Sequence, residues 1–352
     1  MNIKITGSGS YIPTQIVSNI DFAQHVFLNE DGTPFPQSND VVAEKFLEIT
    51  GIEERRYVTD DLNTSDIATI AARKAIEDSK IDPETLDYII FAHNFGNVKK
   101  GTIQTDLLPS LSTRVKFDLR IKNPKCVCYD MLFGCPGWVE GVIQAQAFIK
   151  AGMAKKCLVI GAETLSRVVD MHDRDSMIYS DGAGATIIEA TEEEGGILAH
   201  ETATFTYDEA YYLFFGNSFN KSHDPDVRYI KMHGRKIYEF ALSQVPKAMA
   251  ACLDKSGVAI GDIKKILIHQ ANEKMDEAII QRFYKIYKQE VPEGIMPMSI
   301  HKLGNSSVAT VPTLYDSLIR GEIENQSLHK GDIILFASVG AGMNVNAIVY
   351  KI

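Results

Sequence analysis

The sequence contains no run of 18 apolar residues, so nothing in it is long enough to span a bilayer. Its opening, MNIKITGSGSYIPT, lacks the long apolar segment of a signal peptide. Cysteine is scarce: Cys126, Cys128, Cys135, Cys157 and Cys252 make an odd set of five, mostly in strand-like text. That argues against a disulfide framework and for reduced thiols in a cytoplasmic protein. Cys126 and Cys128 stand as C-x-C with no second pair at zinc-site spacing, so no structural metal is expected. Positive charge is also in short supply. A net charge of −10 argues against general nucleic-acid binding, while leaving room for a local basic patch.

What is present is ordinary globular text, 45% hydrophobic and 23% charged, in a chain of 352 residues that can form two cores. Short apolar runs at 86–94 (LDYIIFAHN), 156–164 (KCLVIGAET), 263–272 (IKKILIHQAN) and 332–340 (DIILFASVG) read as buried strands. Helical patterns separate them, as in a layered α/β fold. Residues 71–94 echo residues 246–272: a helix, then Asp and Ser, an acidic loop, and a strand ending on His. This internal repeat implies two duplicated α/β halves, 1–194 and 195–352, meeting at TEEEGG. The segments 27–40 and 94–110 fall outside the repeat and read as long surface connections.

Cys135 stands in YDMLFGCPGWVEG, between an apolar run and a helical pattern. Proline suits the first turn of a helix, so Cys135 is expected at a helix N-terminus. There the unpaired N–H groups and the macrodipole ease loss of the thiol proton. The alternative is a small core hydrophobe, as most cysteines are. His269, at the end of the run ILIHQAN, is either a satisfied core residue or a group aimed into a cleft. Asn305, in LGNSSVATVP, could be an N-cap. The turn SVGAGMN (338–344) allows close backbone approach. Two converging halves would bring Cys135, His269 and Asn305 together. Trp138, the only tryptophan, is expected to be structural.

These motifs in this order resemble the β-ketoacyl-acyl-carrier-protein synthase III family of thiolase-fold condensing enzymes. The resemblance runs nearly end to end, through GSGSYIPTQIVSN, TGIEERR, the cysteine turn, DRDSMIYSDGAGATII, KMHGRKIYEFA, HQAN and LGNSSVATVP. It implies a thiolase-like fold, two layered α/β halves forming a five-layered αβαβα core. It implies a decarboxylating Claisen condensation of an acyl thioester with malonyl-acyl-carrier protein, initiating fatty acid synthesis. In that reaction Cys135 accepts the acyl group, dividing one difficult step into two. His269 and Asn305 hold the enolate oxygen that forms when CO₂ leaves. The N–H groups of Gly340 and Cys135 make the oxyanion hole. The resemblance further implies coenzyme A or acyl-carrier-protein thioesters as substrates, no cofactor or metal, and a homodimer. Degradative thiolases differ in carrying a second cysteine in the C-terminal glycine turn. Elongating synthases differ in having a second histidine where Asn305 stands, and plant-type polyketide synthases in a C-terminal-loop proline.

The resemblance makes Arg174, Asn272 and Gly234 substrate-binding residues, Arg174 at the coenzyme A site and Asn272 deeper in. Lys45 and Ile49 replace the tryptophan and arginine with which relatives bind coenzyme A, which makes a carrier-bound primer more plausible. Lys231, Arg235, Lys236 and Lys274 fall in segments where relatives dock their acidic carrier, although such a run is also consistent with a solvated face. Arg174 could equally form only a surface salt bridge. Leu108 aligns with the residue that crosses the dimer interface to gate the partner's acyl tunnel, or else is ordinary core. A small gate and two insertions point to a longer or unusual acyl chain. Other readings are a specialised synthase of secondary-metabolite or aromatic-lipid biosynthesis, a Cys-His-Asn hydrolase, and a catalytically silent partner subunit.

Overall fold

A computed structural model describes residues 1–352. Its frame is two sheets with the same internal logic. The first uses β1 (Asn2–Tyr11), β2 (Tyr88–His93), β3 (Val127–Leu132), β4 (Lys156–Thr164) and β5 (Asp181–Thr191), in the order β1-β5-β4-β2-β3. The second uses β6 (Gly196–Thr204), β7 (Ile263–Ile268), β8 (Ile333–Gly340) and β9 (Asn344–Lys351), in the order β6-β9-β8-β7. Each begins with two antiparallel pairings, followed by two parallel ones in the first sheet and one in the second. Where β3 would have a counterpart beyond β7, the second sheet has irregular chain, with the Ile266 N–H donating to the Ile295 carbonyl at 2.8 Å.

Helices complete five layers. They are α1 (Asn39–Thr50), α2 (Thr64–Ser79), α3 (Leu111–Asp118), α4 (Gly137–Lys150), α5 (Gly234–Ser256), α6 (Glu273–Ile286) and α7 (Thr310–Ile319). The Ile67, Ala71 and Ala75 face of α2 covers the outer side of the first sheet, against Ile89, Phe91 and Leu158. The helices α5 and α6 do the same for the second sheet, through Val245, Met249 and Ile279 against Ile266 and Leu335. Between the sheets lie α4 and α7, whose Trp138, Val142, Val311 and Leu314 pack with Phe336 and Ile348. β2 and β4 in the first sheet and β7 and β8 in the second are therefore buried on two faces, which is why they read as apolar runs, whereas β3 at the sheet edge is half-exposed. Trp138 is fully buried and donates its indole N–H to Thr186 Oγ1 at 3.1 Å, a structural role as expected. No helix is long and apolar enough to cross a membrane.

The two connections outside the repeat have some structure of their own. Residues 27–40 hold an isolated bridge between Leu28 and Pro34 and run into α1, and residues 94–110 form a short ribbon pairing Asn97 with Asp106.

Candidate active site

The central layer places the site. Cys135 follows β3 and precedes α4, with Pro136 as the N-cap at φ −74°. Asn305 stands ahead of α7, pinned on both sides: its N–H donates to the Ile178 carbonyl at 3.0 Å and its carbonyl accepts from Ser180 N–H at 2.8 Å. Gly304 turns the chain into this position at φ +59°, a conformation that favours glycine. His269 directly follows β7, and its N–H donates to the Ala337 carbonyl of β8 at 2.8 Å. All three line one cavity of about 860 Å³ with a predominantly hydrophobic wall. Sequence reasoning brought these three together, and the geometry does too.

Gly340, at the end of β8, lies so close to Cys135 that a Cβ on it would sit 2.6 Å from the Cys135 backbone nitrogen. Any side chain there would collide with backbone, so glycine lets the turn between β8 and β9 meet the β3-to-α4 turn beside the thiol.

Each group has a defined polarity. Asn305 Oδ1 accepts the Ser307 N–H at 2.8 Å, which fixes the amide and leaves Nδ2 as the group available to the cavity. Asn305 is not an N-cap of α7, whose cap position is Ala309. His269 Nδ1 is buried without a partner, and burial pushes the imidazole down to about 3, so it is neutral at physiological pH. Ser307 Oγ donates to Cys135 Sγ at 3.4 Å. Burial pushes the Cys135 thiol up to about 11, the Ser307 hydrogen bond pulls it down, and the nearby Glu163 raises it. This corrects the expectation of a thiol that ionises readily. The helix proper begins two residues later, at Gly137, and desolvation in the cavity is the largest influence on the thiol.

The entrance is built from α1, α5, α6 and the 27–40 connection. Phe35 from that connection lies against the Arg174 guanidinium, 4.6 Å from ring centroid to Cζ, and Lys45, Ile49 and Gly234 line the same opening. Arg174 also faces Asp175 at 3.9 Å. Asn272 caps α6 by accepting the Met275 N–H at 2.9 Å, and it too borders the cavity.

The expected docking residues divide. Arg235 is exposed and pairs with Glu239 at 2.9 Å, Lys236 lies 5.3 Å from the Tyr212 ring centroid, and Lys274 pairs with Glu48 at 3.3 Å. Lys231 does not belong with them. It is 4% exposed and donates to Asp170 Oδ2 at 2.6 Å and Asp173 Oδ2 at 2.9 Å. Its strand, Tyr229–Met232, pairs with Leu213–Gly216, and Lys231 ties that hairpin to the chain before Ser180. A buried ion pair of this kind is unavailable to a partner. Leu108 is 89% exposed, which overturns the reading of it as core, and it does not line this chain's cavity.

Sequence reasoning missed Ser307, Asn94 and Glu163. The visible signal was Glu163 itself, an acid near the end of a strand whose middle is apolar.

Comparison with known proteins bears on the family of the chain. Residues 129–205 match the family described as 3-oxoacyl-[acyl-carrier-protein (ACP)] synthase III, and residues 253–352 match its C-terminal counterpart. The chain is 31% identical over 353 positions to the β-ketoacyl-[acyl-carrier-protein] synthase III of Bacillus pumilus, covering 100% of this chain and 99% of that protein. It is 32% identical over 342 positions to β-ketoacyl-[acyl-carrier-protein] synthase III 1 of Halalkalibacterium halodurans, covering 96% and 95%. The crystal structure of 3-oxoacyl-[acyl-carrier-protein] synthase III from Aquifex aeolicus superposes with a TM-score of 0.81 at 28% identity, covering 99% of this chain and all of the other.

Proposed function

The chain belongs to the 3-oxoacyl-[acyl-carrier-protein] synthase III family, acyltransferases that make the initiating condensation of fatty acid synthesis, and we propose that Cys135, His269 and Asn305 carry that reaction here. The observation that supports these roles best is their meeting in one apolar cavity, with Gly340 against the Cys135 backbone.

The steps follow from the groups present. The Cys135 sulfur attacks the primer thioester, the departing thiol leaves with the proton, and an acyl-Cys ester remains. The N–H groups of Cys135 and Gly340 receive the tetrahedral oxyanion, a contribution whose loss costs roughly 10²–10³ in rate. Malonyl-acyl-carrier protein then enters and its carboxylate departs as CO₂, leaving the bond electrons on an enolate. Asn305 Nδ2 and His269 Nε2 donate to the enolate oxygen. His269 can donate because its neutral ring carries one hydrogen, and the buried, unpartnered Nδ1 has no acceptor to hold that hydrogen. The enolate carbon attacks the acyl ester, and collapse of the intermediate releases the 3-oxoacyl-acyl-carrier protein and the Cys135 sulfur.

The primer is carrier-bound in this reading, because Phe35 already occupies the face of Arg174 and no aromatic stands at Lys45. Arg235, Lys236 and Lys274 rim the carrier's approach. A homodimer accords with exposed Leu108 and with β3, an edge strand whose Val127 and Leu132 are exposed. A reducing cytoplasmic setting accords with five free cysteines. The relatives' names speak for the initiating synthase over a specialised one.

The test is stoichiometric. Enzyme acylated in advance and given malonyl-acyl-carrier protein should release one CO₂ for each 3-oxoacyl product. Release of free acid without CO₂ would establish a hydrolase instead.

A further inference from the structure

Three residues outside the Cys-His-Asn set form a directed hydrogen-bond chain that ends on the reacting sulfur. Glu163 is the penultimate residue of β4 and its carboxylate is buried. Its Oε1 accepts twice from Asn94, from the backbone N–H at 2.6 Å and from Nδ2 at 2.5 Å. The same Nδ2 donates to Ser307 Oγ at 3.1 Å, and Ser307 Oγ lies 3.4 Å from Cys135 Sγ. A carboxamide nitrogen can only donate. Ser307 Oγ is therefore the acceptor toward Asn94, and its single hydrogen is left for the sulfur. The Ser307 backbone is held as firmly: it sits at φ +53°, in the left-handed region that serine rarely enters, with its N–H bonded to Asn305 Oδ1 at 2.8 Å. Strain at a residue touching both the nucleophile and Asn305 marks a functional position.

We propose that Ser307 is a further catalytic residue, the donor that stabilises the Cys135 sulfur as an anion in both half-reactions, and that Asn94 and Glu163 are positioning residues that aim it. Ser307 keeps its own proton throughout. The thiol proton leaves with the departing carrier or coenzyme A sulfur during acylation, and the sulfur regains one from solvent after condensation. The site needs such a donor because nothing else there supplies positive charge. The titratable groups around the thiol are Glu163 from β4, His269 after β7, and Tyr179 beside Asn305. Burial keeps the imidazole neutral and the phenol protonated, and pushes Glu163 up to about 8. None of the three can pair with a thiolate as a cation.

This inference rests on Cys135 being the nucleophile, and the test keeps the two claims apart. The reading is the pH profile of iodoacetamide alkylation at Cys135, followed by peptide mass, with Cys135→Ala marking labelling elsewhere. Ser307→Ala should move the profile about one pH unit alkaline, so that alkylation at pH 8 falls about tenfold and acylation falls with it. Asn94→Ala should move it the same way by a smaller amount, about threefold at pH 8. Ser307→Thr, which keeps the hydroxyl, should return the rate to within about twofold. Glu163→Gln keeps an acceptor for Asn94 and removes the negative charge, so its profile should not move alkaline. If Ser307→Ala does not fold, as judged by circular dichroism, Asn94→Ala carries the test by the same reading. A folded Ser307→Ala enzyme, or in its place Asn94→Ala, with an unmoved profile would overturn the inference. The acyl adduct on wild-type Cys135 would stand regardless, and its absence would instead sink the assignment of the nucleophile.

Discussion

β2 and β7 hold matching places in their two sheets, and a histidine stands at the end of each. His93 closes β2 and is knotted into the fold: Nε2 meets Asp130 Oδ2 at 3.1 Å, and Nδ1 accepts the Gly96 N–H at 3.0 Å. Asp130 in turn accepts the Leu111 and Ser112 N–H groups at the start of α3, at 2.7 and 2.8 Å. His269 follows β7 with no partner on Nδ1 and lies on the cavity wall. The central helices divide the chemistry differently, α4 being preceded by a nucleophile, Cys135, and α7 by donors, Asn305 and Ser307. A repeated scaffold therefore supplies equivalent positions, and the hydrogen bonds available at each decide whether a group is locked or free to act.

The comparison is broken most severely by exchanging the fates of the two histidines. His269→Ala should cost roughly 10²–10³ in decarboxylative condensation while Cys135 still takes up primer, because it removes an enolate donor but not the nucleophile. His93→Ala should do the reverse. It leaves half-buried Asp130 with one partner fewer and should lower stability by about 1–3 kcal/mol, read as a lower urea midpoint, with turnover per folded molecule nearly kept. Equal loss of turnover in both variants would erase the distinction.

A subtler contrast lies in pH. The folded pKa of His269, about 3, is below the unfolded value of about 6.5, so the unfolded chain binds the extra proton between them. This contribution to stability is full above the unfolded value and is lost as pH falls through that window, at up to about 1.4 kcal/mol per pH unit. Glu163 has the opposite sign. Its folded pKa, about 8, is above the ordinary carboxylate value, so its contribution is full at low pH and fades as pH rises toward 8. Urea midpoints across pH should flatten in the acid window for His269→Gln and in the window up to pH 8 for Glu163→Gln. Unchanged slopes would contradict the burial assigned to each.

The smallest effect is expected at the rim. Lys274 is exposed and paired only with Glu48, so Lys274→Glu should raise KM for carrier-bound substrate several-fold and spare acylation by a small thioester. Unchanged carrier kinetics would remove Lys274 from the docking surface.

Much of this frame is legible in the sequence, for a physical reason. The runs at 88–93, 156–164, 263–268 and 333–340 are buried on both faces, so their apolar character is continuous and the strands stand out. The cysteine, histidine and asparagine motifs stand at strand ends and helix starts, which local text marks well. What the sequence hides depends on distant partners. Lys231 looks like one more base in KMHGRK, and only the hairpin shows it turned onto Asp170 and Asp173, about 60 residues earlier. The thiol's acidity depends on how much water the whole cavity admits, which no helix-start motif reports. Ser307 reads as a turn serine until Asn94, more than 200 residues away, fixes which way its hydrogen points.

The most direct test of the central claim is peptide mapping of the protein after exposure to acyl-carrier-protein and coenzyme A thioesters. A single acyl adduct on the peptide holding Cys135, discharged by malonyl-acyl-carrier protein, is the predicted result. An adduct on a different cysteine, or full turnover by Cys135→Ala, would contradict it.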